Sequence, residues 1–221
     1  MGKAPPRPKA EPAWRRVHAH LRAAIIAGTI PPGSFLEEEA VSAEVGVSRT
    51  PVREAFQRLE AEQFIERLPR RGVRVRAATA QELIQLYETR RVIERFVVGE
   101  IAARRIAVPD TLDTLLARMA APRRTPDLTL QAEGDFTFHR TLVAAIGNTV
   151  MLGVFDGLHQ RQLRVAMRAI ALNPARLVLI HAQHAALLAA LRRQDGAEAA
   201  RILEAHLQPA PDILAGMDAA V

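Results

Sequence analysis

Gly46-Val47-Ser48-Arg49-Thr50-Pro51-Val52-Arg53-Glu54-Ala55 is the stretch on which the fold of the first third of the chain turns. Gly46 breaks a short helical pattern over residues 36–45, Ser48 is a residue type that caps helices, and Pro51 falls in a first turn, where no amide partner is lost. Val52, Ala55, Phe56 and Leu59 then line one face. Two short helices joined through a glycine-containing turn make a helix-turn-helix, a geometry that sets the first residues of the second helix against base edges. A guanidinium at that place, Arg49, can donate two bonds to guanine.

Working outward, Trp14, Val17, Leu21, Ala24 and Ile25 recur at three- and four-residue spacing and predict a helix from Ala13 to Gly28. Residues 29–35, with Pro31-Pro32-Gly33, read as a turn. On the other side, 64–67 and 73–76 predict two short strands around Pro69-Arg70-Arg71-Gly72, a hairpin with a cationic tip, or wing. Arginines 67, 70, 71, 74 and 76 would repel one another on an isolated hairpin and become favourable beside an anionic surface such as DNA. Residues 1–12 hold four prolines and no apolar period, and are expected to form a flexible tail.

The 221 residues suffice for one large or two modest domains of about 100–200 residues each. With 49% hydrophobic residues and a mean hydropathy of zero the chain can bury a core. No uninterrupted apolar run nears the roughly 20 residues a bilayer needs, which predicts a cytoplasmic protein without membrane contact. The absence of cysteine excludes disulfides, thiolate nucleophiles and sulfur-ligated metals. Residues 1–78 carry 14 Lys+Arg against 9 Asp+Glu, and residues 79–221 carry 16 against 15, so the excess of +6 sits almost wholly at the front. All cations but Lys3 and Lys9 are arginines, planar donors suited to phosphate and base edges. A general bias toward Arg and Ala explains their number but not their placement.

After a linker at 77–80, Thr79 and Glu82 form a capping-box pattern, and helical spacing resumes. Helices are predicted over about 80–106, 110–120, 127–146, 149–171, 175–194 and 197–207, with a short segment at 212–219. The fold class is therefore mainly α: a winged helix-turn-helix over 13–76, followed by an all-helical bundle over 81–221.

The residues from Gly33 to Leu36, the stretch 46–55, Leu59-Glu60 and 70–75 resemble the winged helix-turn-helix of the GntR family of bacterial transcription factors. Residues 87–94, Asp135, Phe138-His139, Gly147-Asn148, His184 and His206-Leu207 resemble that family's FCD effector domain, of the FadR type. The resemblance implies a homodimeric regulator, usually a repressor, that docks on a short inverted repeat of double-stranded DNA and binds a small organic acid. It implies DNA contacts at Ser48, Arg49, Thr50, Pro51, Arg53 and Arg58, with Arg70, Arg71 and Gly72 at the minor groove or its backbone. One departure stands out: relatives often place an arginine where this chain has Glu39, which predicts either a changed half-site or a carboxylate turned away.

Asp135 and His139, four residues apart, project from one helical face, a spacing that a core hydrogen bond meets as well as an ion does. His184 and His206 lie amid Ala and Leu on later helices, where an unpartnered imidazole is costly to bury. Three nitrogens and a carboxylate suit a divalent transition metal, Zn²⁺ first, with Ni²⁺, Mn²⁺ or Fe²⁺ as alternatives. The resemblance implies that Asp135, His139, His184 and His206 are the metal ligands, and that Arg90 points into the effector cavity with Glu94 as its partner. His181 is left outside the ligand set, His159 is structural, and Asn148 either caps a helix or contacts effector. Arg161, Arg164 and Arg168 form a cationic stripe, serving the cavity or simply solvated. A metal-dependent enzyme with an appended DNA-binding domain is the alternative, but no HExxH, nucleophile-elbow or phosphate-loop motif supports it.

Overall fold

The computed structural model describes residues 12–219, so all of the expected tail but Pro12 lies outside the described residues. The chain divides into two compact units, Met1–Arg76 and Ala77–Val221.

In the first unit α1 (Ala13–Ala27) ends at Gly28, whose φ of 81° is the left-handed conformation a helix C-terminus favours. It is followed by β1 (Phe35–Leu36), α2 (Glu38–Val45), α3 (Arg49–Ala61), β2 (Ile65–Leu68) and β3 (Gly72–Val75). Val17, Leu21 and Ile25 of α1 and Val52, Ala55, Phe56 and Leu59 of α3 are buried, and the two helices pack on each other. The sheet runs β1-β3-β2, all antiparallel, with Phe35 opposite Arg74 and Leu68 opposite Gly72. The third strand was not expected: Phe35 ends a segment that reads as a turn and Leu36 opens the expected helix over 36–45, which in fact begins at Glu38, and only pairing with β3 makes the two residues a strand. At the wing tip Arg70 (φ 61°) and Gly72 (φ 95°) both take left-handed backbone.

The second unit contains α4 (Ala80–Ala103), α5 (Thr111–Ala120), α6 (Leu128–Ala145), α7 (Thr149–Asp156), α8 (His159–Leu172), a 3-10 turn (Pro174–Arg176), α9 (Leu177–Arg192), α10 (Gly196–His206) and α11 (Pro211–Asp218). That makes eight α-helices among the described residues. The single helix expected over 149–171 is two, because Gly153 and Gly157 weaken it at the point where Phe155 turns inward to stack on Phe136. The Thr79 hydroxyl accepts the Glu82 amide, but the Glu82 carboxylate bonds Arg164 instead of reaching back to close the capping box. Pro174–Arg192 is, by length and composition, apolar enough to cross a membrane. That property is a window average and not an unbroken run; here α9 packs against α5 and α10 with His184, Leu187, Leu188, Ala190 and Leu191 buried.

Candidate functional site

Amphipathic spacing on four helices builds a polar centre inside the second unit. On α4, Arg90 and Glu94 fall in phase with buried Leu83, Leu86 and Val97; Asp135 and His139 come from α6, His184 from α9 and His206 from the last turn of α10. Nε2 of His139 lies 3.2 Å from Nε2 of His184 and 3.1 Å from Nε2 of His206. Oδ1 of Asp135 is 3.2 Å from His184 Nε2, 3.6 Å from His206 Nε2 and 3.7 Å from His139 Nε2. All four donor atoms lie within 4.8 Å of one another.

The outer ring nitrogens explain the orientation. His139 Nδ1 faces Glu94 Oε2 at 2.5 Å, and His206 Nδ1 faces Gln183 Oε1 at 3.1 Å. With protons on those two nitrogens, Nε2 of His139 and of His206 is left as a lone pair on the side of the cluster, as carboxylate and amide oxygens arrange for metal-ligating histidines; His184 Nδ1 is buried without a hydrogen-bond partner. Lone pairs and a carboxylate oxygen so placed repel unless a cation lies among them. A metal held at about 2.0–2.2 Å from each donor would space neighbouring donors roughly 3.0–3.5 Å apart, close to the spacing found. The donor set therefore fits a divalent transition metal.

Electrostatics prepare the same state. Burial alone would raise the Asp135 carboxyl, but the Arg90 guanidinium, with His184 and His206 beside it, outweighs burial and holds the group well below the usual carboxylate range. Burial would likewise raise Glu94; Arg90 and His139 take it down to about 2. His184 is pushed down to about 3, chiefly by burial, and His206 is lowered for the same reason, so both imidazoles are neutral and ready to ligate near pH 7. Glu94→Gln should weaken metal affinity about 10- to 100-fold, the range for outer-sphere partners, as read by competition with a chromogenic chelator; unchanged affinity would remove Glu94 from the site.

A cavity of about 840 Å³, counted out to its open mouth, adjoins the centre and is lined in part by Arg90, Asp135, Gln162 and His206. Arg90 Nε donates to Glu94 Oε1 (2.6 Å) and Nη1 to Asp135 Oδ2 (3.3 Å), while Nη2 is buried without a hydrogen-bond partner. Gln162 Nε2 donates to Asp135 Oδ2 (2.8 Å), and its buried Oε1 has no partner. Arg90 and Gln162 both line the cavity. Gln162 escaped notice in the sequence, although it is in helical phase with Val165, Ala166 and Ala169, which line the cavity with it.

Other expectations are corrected. Asn148 accepts the Met151 amide at the start of α7, and it is not among the cavity residues, so of its two expected roles the structure places it in the cap. Arg164 is neither solvated nor a cavity group: it is buried, donating to Ala77 O and Glu82 Oε1, both at 2.5 Å. His181, which bonds Gln131 Oε1, and His159, which bonds Glu133, need no correction: both engage partners apart from the histidine cluster.

In the first unit Ser48 occupies the N-cap of α3, but its side chain makes no capping hydrogen bond. Arg49, Thr50 and Arg53 are exposed on the first turns of α3. Arg58, grouped with them from sequence, is exposed and lies over the Trp14 ring, 3.7 Å from its centroid. Glu39 is not turned away: its Oε2 accepts Arg49 Nη2 at 2.7 Å, and Glu38 Oε2 accepts Arg53 Nε at 2.7 Å. The wing is also less self-repelling than its sequence suggests, because Arg67 pairs with Glu60 and Arg74 with Glu66. Arg70 and Arg71 are exposed beside Gly72 and have no carboxylate partner among the described residues.

The family model described as bacterial regulatory proteins, gntR family, matches residues 14–75, and the FCD domain model matches 85–209. The chain belongs to the GntR family and carries an FCD domain. It is 33% identical over 144 residues to the gluconate operon transcriptional repressor of Bacillus licheniformis, covering 65% of this chain and 59% of that protein. It is 30% identical over 180 residues to the Nta operon transcriptional regulator of Aminobacter aminovorans, covering 80% and 82%. The crystal structure of a GntR-type regulator from Rhodococcus sp. RHA1 is similar with a TM-score of 0.57 and 28% identity, over 94% of this chain and 98% of that one. These relatives are regulators, not enzymes, which leaves the metalloenzyme alternative without support. The residues matched as the FCD domain thus contain the histidine cluster and most of the lining of the cavity beside it.

Proposed function

We propose that this GntR-family chain is a DNA-binding repressor, acting as a homodimer in the bacterial cytoplasm, whose hold on a short inverted-repeat operator is controlled by a small organic acid bound beside a divalent metal in the FCD domain. The gathering of one donor atom from each of Asp135, His139, His184 and His206 within 4.8 Å of one another carries this reading. Asp135, His139, His184 and His206 would hold the ion, Zn²⁺ first by donor type. When bound, it supplies fixed positive charge for a carboxylate. Arg90, Glu94 and Asp135 together leave one net negative charge at the centre; a divalent ion turns this to one positive, which an anionic ligand balances.

The chain's own groups then specify the ligand. Arg90 Nη2 donates to a carboxylate oxygen, and Gln162 Oε1 accepts from a hydroxyl, which favours a hydroxy acid. The Bacillus licheniformis relative is named for a gluconate operon, and gluconate is such an acid. From Gln162 the helix leads within one turn to Arg164, which holds Ala77 just ahead of α4. Effector changes DNA affinity only if it favours one arrangement of these groups over another. On the DNA side Arg49, Thr50, Pro51 and Arg53 meet the major groove, and Arg70, Arg71 and Gly72 the minor groove or its backbone.

A panel of hydroxy acids, added with and without EDTA to protein bound to a duplex selected from a random pool, tests the proposal. Release or tightening by at least one acid, abolished by EDTA, is expected; an operator affinity indifferent to every acid and to EDTA would overturn it. Val92 and Phe96 on α4 and Val150 and Val154 on α7 are large apolar side chains left exposed, which supports pairing of FCD domains. The double variant Val92→Glu, Phe96→Glu should run as a monomer in light scattering; a dimer of unchanged stability would place the interface elsewhere.

A further inference from the structure

We infer that Glu39 is a specificity-determining residue that restricts Arg49 to reading bases and lowers the affinity of the protein for arbitrary DNA. The inference rests on the DNA-binding reading above and goes beyond it, since a carboxylate on a DNA-facing element is at first sight only a handicap. Glu39, near the start of α2, is 80% exposed and accepts one hydrogen bond from Arg49 Nη2, itself 57% exposed. One turn further along α3, Arg53 gives its Nε to Glu38 and keeps both terminal nitrogens free. The leading cations of the reading helix are therefore already engaged before any DNA arrives.

The engagement has different consequences on different duplexes. An arginine that reads guanine uses two N–H groups on one edge, and Arg49 retains Nη1 and the second hydrogen of Nη2 for that purpose while keeping Glu39. On a matching site the carboxylate stays neutralised and also orients the guanidinium. On arbitrary DNA the attraction is to phosphate, which requires charge and little else. There Arg49 either remains with Glu39 and contributes almost no net charge, or leaves for a phosphate and strands an exposed carboxylate against the polyanion. In both cases one effective phosphate contact is lost, while recognition of the correct base is kept.

Glu39→Gln removes the charge and leaves the shape, and because the side chain is exposed the fold should tolerate it. Glu44→Gln is the control. Glu44 lies on the same helix and pairs with His20, so its loss changes net charge equally without touching an arginine of α3. Fluorescence anisotropy would follow wild type and both variants on a random-sequence duplex and on a duplex selected by the wild type from a random pool, over a series of salt concentrations. Glu39→Gln should bind the random duplex about 5- to 10-fold tighter, with a log–log salt slope steeper by about 0.9, and gain less than about 3-fold on the selected duplex. Glu44→Gln should follow wild type. An unchanged slope and random-duplex affinity for Glu39→Gln, an equal gain on both duplexes, or an equal effect of Glu44→Gln would overturn the inference. Failure of the wild type to bind either duplex would instead overturn the DNA-binding reading, and this inference with it.

Discussion

His139→Ala should cost the protein more than about 100-fold in affinity for its metal, exceeding the upper end of the effects seen when only an outer-sphere partner is lost. His139 is the hinge of the cluster: its Nε2 is within 3.2 Å of both other imidazole nitrogens, and its Nδ1 ties the centre to Glu94. Removing it takes away a ligand and leaves the Glu94 carboxylate with Arg90 alone. Because metal that binds only the folded state stabilises it in proportion to the logarithm of free metal over Kd, added Zn²⁺ should raise the wild-type Tm and leave that of the variant flat. Response to effector should vanish with the metal, while affinity for random duplex is kept. His206→Ala, at a less buried position, gives the same test if His139→Ala folds poorly. His181→Ala, whose ring bonds Gln131, should behave as wild type. A His139→Ala protein that retains metal at full affinity would remove this cluster as the metal site.

The second large effect lies on the DNA side, where Arg49→Ala and Arg71→Ala should fail in different ways. A bidentate arginine–guanine contact is worth about 1–3 kcal/mol of discrimination, so Arg49→Ala should lose about 5- to 150-fold on a selected duplex. It should lose little on random sequence, since its charge is already partly spent on Glu39. Arg71, exposed at the wing tip, should cost affinity alike on all sequences and flatten the salt slope by about 0.9. Titrations on selected and random duplex at several salt concentrations separate the two. Equal losses for Arg49→Ala on both duplexes would mean that the start of α3 touches phosphate and not bases.

The sequence showed most plainly whatever is decided by near neighbours. The run from Gly46 to Leu59 marks a turn and an amphipathic helix through residues in contact along the chain, and α1, α2, α3 and the wing form as that pattern requires. β1 was invisible because two residues have no period; its strand character comes from β3, almost forty positions away. The break between α7 and α8 depends on how Phe155 is received by Phe136, again a distant partner.

The candidate metal ligands behaved in the same way. Asp135 and His139 declared a shared face through their spacing, whereas membership of His184 and His206 came through family resemblance, since no local rule joins positions 45 and 67 residues removed from His139. The arrangement that holds them was less visible still. Gln162 reads as one more polar residue on a basic helix, and the second contact of Glu94, to His139, needs α4 and α6 to be packed before it exists. Charge was misjudged for a related reason: Glu38, Glu39, Glu60 and Glu66 each neutralise an arginine that looks free when counted in a line.

X-ray absorption at the metal edge, on protein purified without chelator and assayed for metal content, tests the central claim most directly. About one divalent ion per chain is expected, with nitrogen and oxygen neighbours at about 2.0–2.2 Å and the outer scattering of three imidazoles, lost in His139→Ala. Protein that takes up no divalent ion even on dialysis against Zn²⁺, Ni²⁺, Mn²⁺ or Fe²⁺, or an ion whose spectrum lacks imidazole, would contradict the account.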